Sequence, residues 1–156
     1  MAEAQPADAP DRLTRARARW DSRPLHQYFD IRLDDVGDGY ARFFMQANDH
    51  NRGGVHGATH GGVLAFLADV AALAAIGTIT GPDDQASGTA ELNISYLSPA
   101  VGSVITEATI LRKGRTLVVA DIDLKDESGK LLAKSRVSYA LRARAGSHEA
   151  AGIPPE

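Results

Sequence analysis

The chain has 156 residues, a length that suits one domain and can bury a core without disulfides or a structural metal. Its 17 basic and 20 acidic residues leave a net charge of −3, so no global positive field exists to gather nucleic acid or anionic lipid. It contains no cysteine, which excludes a disulfide scaffold, a thiolate nucleophile and any cysteine-ligated metal site.

Residues 1–10, MAEAQPADAP, have no basic region leading into an apolar run, so a secretory signal is not expected and a cytoplasmic location is. Residues 11–20, DRLTRARARW, can form a short arginine-rich helix, and Glu3, Asp8 and Asp11 argue against a mitochondrial presequence. Residues 1–24 are read as an arm or capping helix, 25–142 as the folded domain, and 143–156, which lack an apolar period, as a frayed tail. Two strands are expected at about 28–36 and 39–47, joined at Gly37 to Gly39, with Tyr40, Phe43 and Phe44 supplying aromatic bulk.

The segment 61–80, GGVLAFLADVAALAAIGTIT, has the length of a membrane span and one charged residue, Asp69. A carboxylate near the middle of a span costs about 2.5–3.5 kcal/mol on insertion scales, and no Lys or Arg anchors either end. A helix apolar on every side within a chain otherwise patterned for water is therefore expected to be wrapped by other elements.

The wrapping follows in sequence. GTAELNISYLS at 88–98 alternates Leu92, Ile94 and Tyr96 with Glu91, Asn93 and Ser95, the period of a half-buried strand. SVITEATILR at 103–112, TLVVADIDLKD after the KGR turn, and LLAKSRVSYALR after the DESGK turn show the same period. The pattern predicts an α+β domain: a four-strand meander plus the earlier pair, forming a curled antiparallel sheet around one long central helix. Leu117, Val119 and Leu132 are expected on the outer face, where a second copy or layer would cover them.

His60-Gly61-Gly62, Asp69 nine residues after the His, NISYLSPA at 93–100, KGRTL at 113–117 and SGKLLA at 128–133 occur in an order that resembles the hotdog-fold acyl-CoA thioesterases of the phenylacetate-degradation (PaaI-like) type. The resemblance covers about residues 38–141 and implies a sheet of about five to six strands, hydrolysis of an acyl-CoA to acid and coenzyme A, and no cofactor. It also implies a homodimer, paired into a tetramer, whose sites span the interface.

Asp69 is the candidate general base or nucleophile; the alternative is a buried acid satisfied by its neighbours. A carboxylate among apolar residues either binds its proton more tightly or meets a strong local hydrogen bond. The Gly61 N–H at the start of the helix is the candidate oxyanion donor, with Gly62 allowing close approach and His60 positioning the thioester; the glycines could equally serve packing alone. Gly61 and Asp69 lie eight residues apart, roughly 12 Å along one helix, too far to serve one carbonyl, so both can act only if two chains share a site.

Thr89 matches a position where similar thioesterases orient the attacking water, though threonine is also an ordinary strand residue. Relatives carry an Asn six residues before the HGG histidine; here that residue is Gly54, and Asn51 is the substitute candidate. Arg112, Lys113 and Arg115 are either a solvated turn or, by resemblance, contacts to the phosphates of coenzyme A. A zinc site from Asp49, His50, His56 and His60 would need 56–60 to be helical, which the surrounding glycines disfavour, so no metal is expected. A non-hydrolytic acyl-CoA binding protein and a hotdog enoyl-CoA hydratase or dehydratase remain the alternatives.

Overall fold

A computed structural model describes residues 11–143; the expected frayed tail lies outside them apart from residue 143. The elements in chain order are α1 (Arg12–Trp20), α2 (Pro24–Tyr28), β1 (Ile31–Gly37), β2 (Tyr40–Met45), a 3₁₀ turn (Val55–Gly57), α3 (Gly61–Gly77), β3 (Asp84–Tyr96), β4 (Val104–Lys113), β5 (Leu117–Lys125) and β6 (Leu131–Ala143). Among the described residues no helix is long and apolar enough to cross a membrane.

The six strands form one antiparallel sheet in the order β1-β2-β4-β5-β6-β3. The expected four-strand meander is corrected here: only β4, β5 and β6 form one, whereas β3 crosses to the far edge and pairs with β6. Amphipathic alternation assigns each strand a face but not a neighbour. The first pair also starts later than expected, because Pro24 opens a short helix through Tyr28.

Helix α3 lies against the concave face. Ala68, Ala71, Ala72, Ala74 and Ala75 are buried, and their small side chains let the sheet approach closely, with Leu64 and Leu67 filling the space between. Facing them, Phe43 of β2, Val104 and Ala108 of β4, Ile122 and Leu124 of β5 and Val137 of β6 are buried at alternate positions, as the sequence period requires. The helix stops after Gly77, where the Thr78 hydroxyl donates to the Ala75 carbonyl at 2.6 Å.

On the outer face Leu117 is exposed and Val119 half-buried, as expected, whereas Leu132 is buried; beside them a cross-strand ladder runs from Tyr40 through Glu107, Lys125, Asp123, Lys134 and Asp121 to Arg136. Burial together with Glu107 pushes the Tyr40 hydroxyl up to about 12, while Lys125 first among its partners holds Glu107 below the ordinary carboxylate range.

Helix α1, anticipated as an arm or cap, packs on β1. Asp11 caps it by accepting from the Thr14 N–H, and Leu13, Ala16 and Trp20 form its apolar stripe, with Trp20 buried edge-on against Phe43. It also seals the sheet edge: Asp21 accepts from the Leu33 N–H at 2.8 Å, and Arg17 donates to the Leu33 and Asp34 carbonyls.

Candidate active site

The site begins at the mouth of α3. His60 is the N-cap; its Nδ1 accepts from the Gly62 N–H at 3.0 Å, which puts the proton of the neutral ring on Nε2. The N–H groups of Val63 and Leu64 reach the His60 carbonyl, and the His60 N–H donates to the Asn51 carbonyl. Among the described residues the Gly61 N–H is left without an acceptor, at the positive end of a 17-residue helix dipole.

Tyr96, whose role the sequence reading did not anticipate, fixes this glycine. Its hydroxyl donates to the Gly61 carbonyl at 2.7 Å, and a Cβ on Gly61 would come within 3.2 Å of its ring. The signal was its inward parity in NISYLS, but the partner at residue 61 depends on how β3 lies across the start of α3.

Two turns along α3 stands Asp69, half-buried. The Thr89 hydroxyl donates to Asp69 Oδ1 at 2.6 Å, a strong local hydrogen bond. Strict alternation counted back from Leu92 would put Thr89 on the outer face. The pairing instead runs Leu92 with Val137, Glu91 with Ser138 and Thr89 with Tyr139, leaving Ala90 as the extra residue of a bulge. That bulge returns Thr89 to the helix side. Since α3 is unbroken, Gly61 and Asp69 of one chain remain roughly 12 Å apart.

Asn51 does not join this group, which corrects the expectation that it reaches the thioester. It is fully buried; its Nδ2 donates to the Phe29 and Gln46 carbonyls and its Oδ1 accepts from the Asn48 N–H. It ties loop 46–60 to the body and so supports the carbonyl on which His60 hangs. Gly54 cannot carry a replacement, because a Cβ there would lie 2.7 Å from the Thr59 carbonyl oxygen.

The basic cluster is divided by strand alternation, just past a bulge at Leu111. Arg112 pairs with Val119 and Lys113 with Val118, so the two occupy opposite faces. Lys113 donates to Asp84 at 2.6 Å and to the Ile79 carbonyl, and Asp84 is held below the usual carboxylate range by that bond first. Arg112 and Arg115 are exposed. The four candidate zinc ligands are not assembled: His50 stacks on Tyr28, His56 sits exposed at φ 58°, and His60 caps the helix. Among the described residues no three His, Asp or Glu side chains are placed to hold a metal.

One helix in the concave face of a six-stranded antiparallel sheet, with glycines at its mouth and a carboxylate at its middle, defines a hotdog-fold protein. Residues 56–133 match the family model described as the thioesterase superfamily, and the chain belongs to that superfamily. A candidate esterase of Halobacterium salinarum is 32% identical over 120 residues, covering 75% of this chain and 80% of that protein. Mouse acyl-coenzyme A thioesterase 13 is 39% identical over a shorter 84 residues, 51% of this chain and 58% of its own. Among solved structures, a Haemophilus influenzae thioesterase superposes with a TM-score of 0.77 over 90% of this chain and 96% of its own at 21% identity, a likeness of fold. Zebra fish thioesterase superfamily member 2 gives 0.70 at 27% identity, over 83% of this chain and 95% of its own. Family membership supports hydrolysis of an acyl thioester.

Proposed function

We propose that the protein hydrolyses an acyl-CoA thioester, in the manner of the phenylacetate-degradation type, at a site completed by two chains. The observation that carries this reading is the Thr89–Asp69 hydrogen bond, found on the same helix as an uncommitted Gly61 N–H that lies roughly 12 Å away. Asp69 takes a proton from water as its oxygen attacks the thioester carbonyl, with Thr89 holding the carboxylate or the water. The carbonyl oxygen collects negative charge against the Gly61 N–H of the partner; the carbon–sulfur bond then breaks and the sulfur takes the proton held by Asp69, giving acid and thiol and restoring the carboxylate. His60, capping the same helix start, steadies the thioester, and Gly62 leaves the approach open. Arg112 and Arg115 are the cations available to the phosphates of coenzyme A, with Lys113 occupied by Asp84.

The bare edge of β3 is where the second copy belongs. Two such strands pairing antiparallel about a point near Leu92 and Asn93 bring Thr89 of one chain opposite Tyr96 of the other, and with them Asp69 opposite Gly61. Two dimers then make a tetramer.

Free-thiol release from short, medium and arylacetyl-CoA by wild type and Asp69→Asn tests the chemistry. Wild-type turnover that the substitution abolishes supports it; no wild-type turnover on any of these substrates favours a non-hydrolytic acyl-CoA binding protein, and crotonyl-CoA hydration a dehydratase. The shared site is tested by mixing inactive variants. Gly61→Pro removes the N–H at the first helical position, where the backbone suits proline but its Cβ presses on the Tyr96 ring, so the variant's melting temperature is checked first; mixed refolding of Gly61→Pro with Asp69→Asn chains then restores turnover only if a site draws on both chains.

A further inference from the structure

A cavity of about 680 Å³ lies between α1, the C-terminal half of α3 and the β3 and β6 strands, within the size range of small-molecule sites. Asp69 and Thr89 do not line it, but its wall begins one turn of α3 beyond the acid. Leu73 on its wall follows Asp69 by one turn of α3, about 6 Å, and Ala86 on its opposite wall precedes Thr89 by three residues on β3. From Leu73 the wall continues apolar through Ile76, Tyr139 and Leu141. It ends on an arginine row: Arg12, Arg15, Arg19 and Arg23 recur at helical spacing along and just beyond α1 and all line the cavity.

Of these arginines, Arg19 is the one whose charge is uncommitted among the described residues. Arg12 pairs with Asp38, and Arg23 lies over the Trp20 ring at 4.0 Å, a contact that leaves its guanidinium edge available. Arg19 has no carboxylate within ion-pair distance among the described residues. Asp84, the one acid on the wall, is held by Lys113 at 2.6 Å.

We infer that this cavity receives the acyl group and that its arginine end binds a carboxylate at the far end of that group, so that the preferred substrates are ω-carboxyacyl-CoA thioesters. The inference rests on the thioesterase reading and specifies its substrate class. An acyl chain leaving the thioester beside Asp69 meets first the apolar wall and then, near Gly77 and Thr78, guanidinium groups whose paired N–H donors fit a carboxylate. A phosphate of coenzyme A offers the same anionic chemistry but is joined to the sulfur through the other arm of the thioester and has no use for the apolar stretch.

The test compares adipyl-CoA with hexanoyl-CoA, which differ by the terminal carboxylate. Wild type is expected to show the higher kcat/KM with adipyl-CoA, and Arg19→Gln to lower the adipyl-to-hexanoyl ratio about ten-fold, with Arg19→Lys between them. Arg19 is exposed, and an unchanged melting temperature certifies the variant's fold. Equal or better wild-type turnover of hexanoyl-CoA overturns the inference and leaves the thioesterase reading standing. A parallel fall with both substrates in Arg19→Gln, ratio unchanged, also overturns it and assigns the arginines to the phosphates. Turnover of neither substrate by wild type, in the acyl-CoA panel as well, removes the thioesterase reading itself.

Discussion

The two edges of the sheet are finished in opposite ways. At β1 the open backbone is sealed from within the chain, the Leu33 N–H by Asp21 and the Leu33 and Asp34 carbonyls by Arg17, while Trp20 plugs the core beneath. At β3 no side chain performs that service among the described residues. Leu92 and Ile94 are half-buried, Tyr96 and Leu97 more than half exposed, and the catalytic candidates Thr89 and Asp69 lie just inside the edge. On the function proposed above, the uncovered strand carrying Thr89 is the working side.

The sharpest way to break this contrast is at the β3 side. Asp69→Asn is expected to lower kcat by about 10²–10⁴ in thiol-release assays with little change in melting temperature, because the amide cannot take a proton. Stability loss without loss of turnover would make Asp69 a structural acid. At the β1 side the effect reverses: Trp20→Ala is expected to cost about 3–5 kcal/mol in denaturant unfolding, since it empties a buried aromatic site. A cost below about 1 kcal/mol would show that α1 is no part of the cooperative fold. Thr89→Val, which keeps the shape and removes the donor, is expected to reduce kcat/KM about ten-fold; unchanged kinetics would leave the 2.6 Å bond without a catalytic part.

The smallest effect belongs to His26, stacked on Trp20 at 5.7 Å and buried beside Phe43 and Phe66. Burial lowers its pKa from 6.5, so the unfolded chain takes up its proton first and stability falls as pH drops below about 6.5. Carboxylates with lowered values, Glu107 and Asp123 among them, lose their contribution only below 4.5, so the window above it isolates the histidine. Melting temperature should therefore decline between about pH 6.5 and 5, and the decline should be flatter in His26→Phe. A wild-type curve level across that window contradicts the assignment.

Much of this was legible beforehand, and the residues explain which parts. The α3 segment reads as a wrapped helix because apolar residues cover every side of it, and Val118, Ala120, Ile122 and Leu124 read as one face because a strand alternates strictly. The spacing of Gly61 and Asp69 already required a second helix for a shared carbonyl. Asn51 was misread because an amide in a polar loop has the same composition whether it points out to substrate or, as here, inward to the Phe29 and Gln46 carbonyls. Residues 11–20 read as an arginine-rich arm or cap; that Leu13, Ala16 and Trp20 pack it onto β1 emerged only in the fold.

Local periodicity thus determined the elements, their inner faces and the helix that carries the acid, since each depends on neighbours along the chain. Only the folded sheet decided that β3 would lie beyond β6 rather than beside β4, and that a bulge at Ala90 would turn Thr89 from the outer face onto Asp69. Both depend on which strand supplies the opposing hydrogen bonds, and a one-residue shift in that pairing reverses every side chain beyond it.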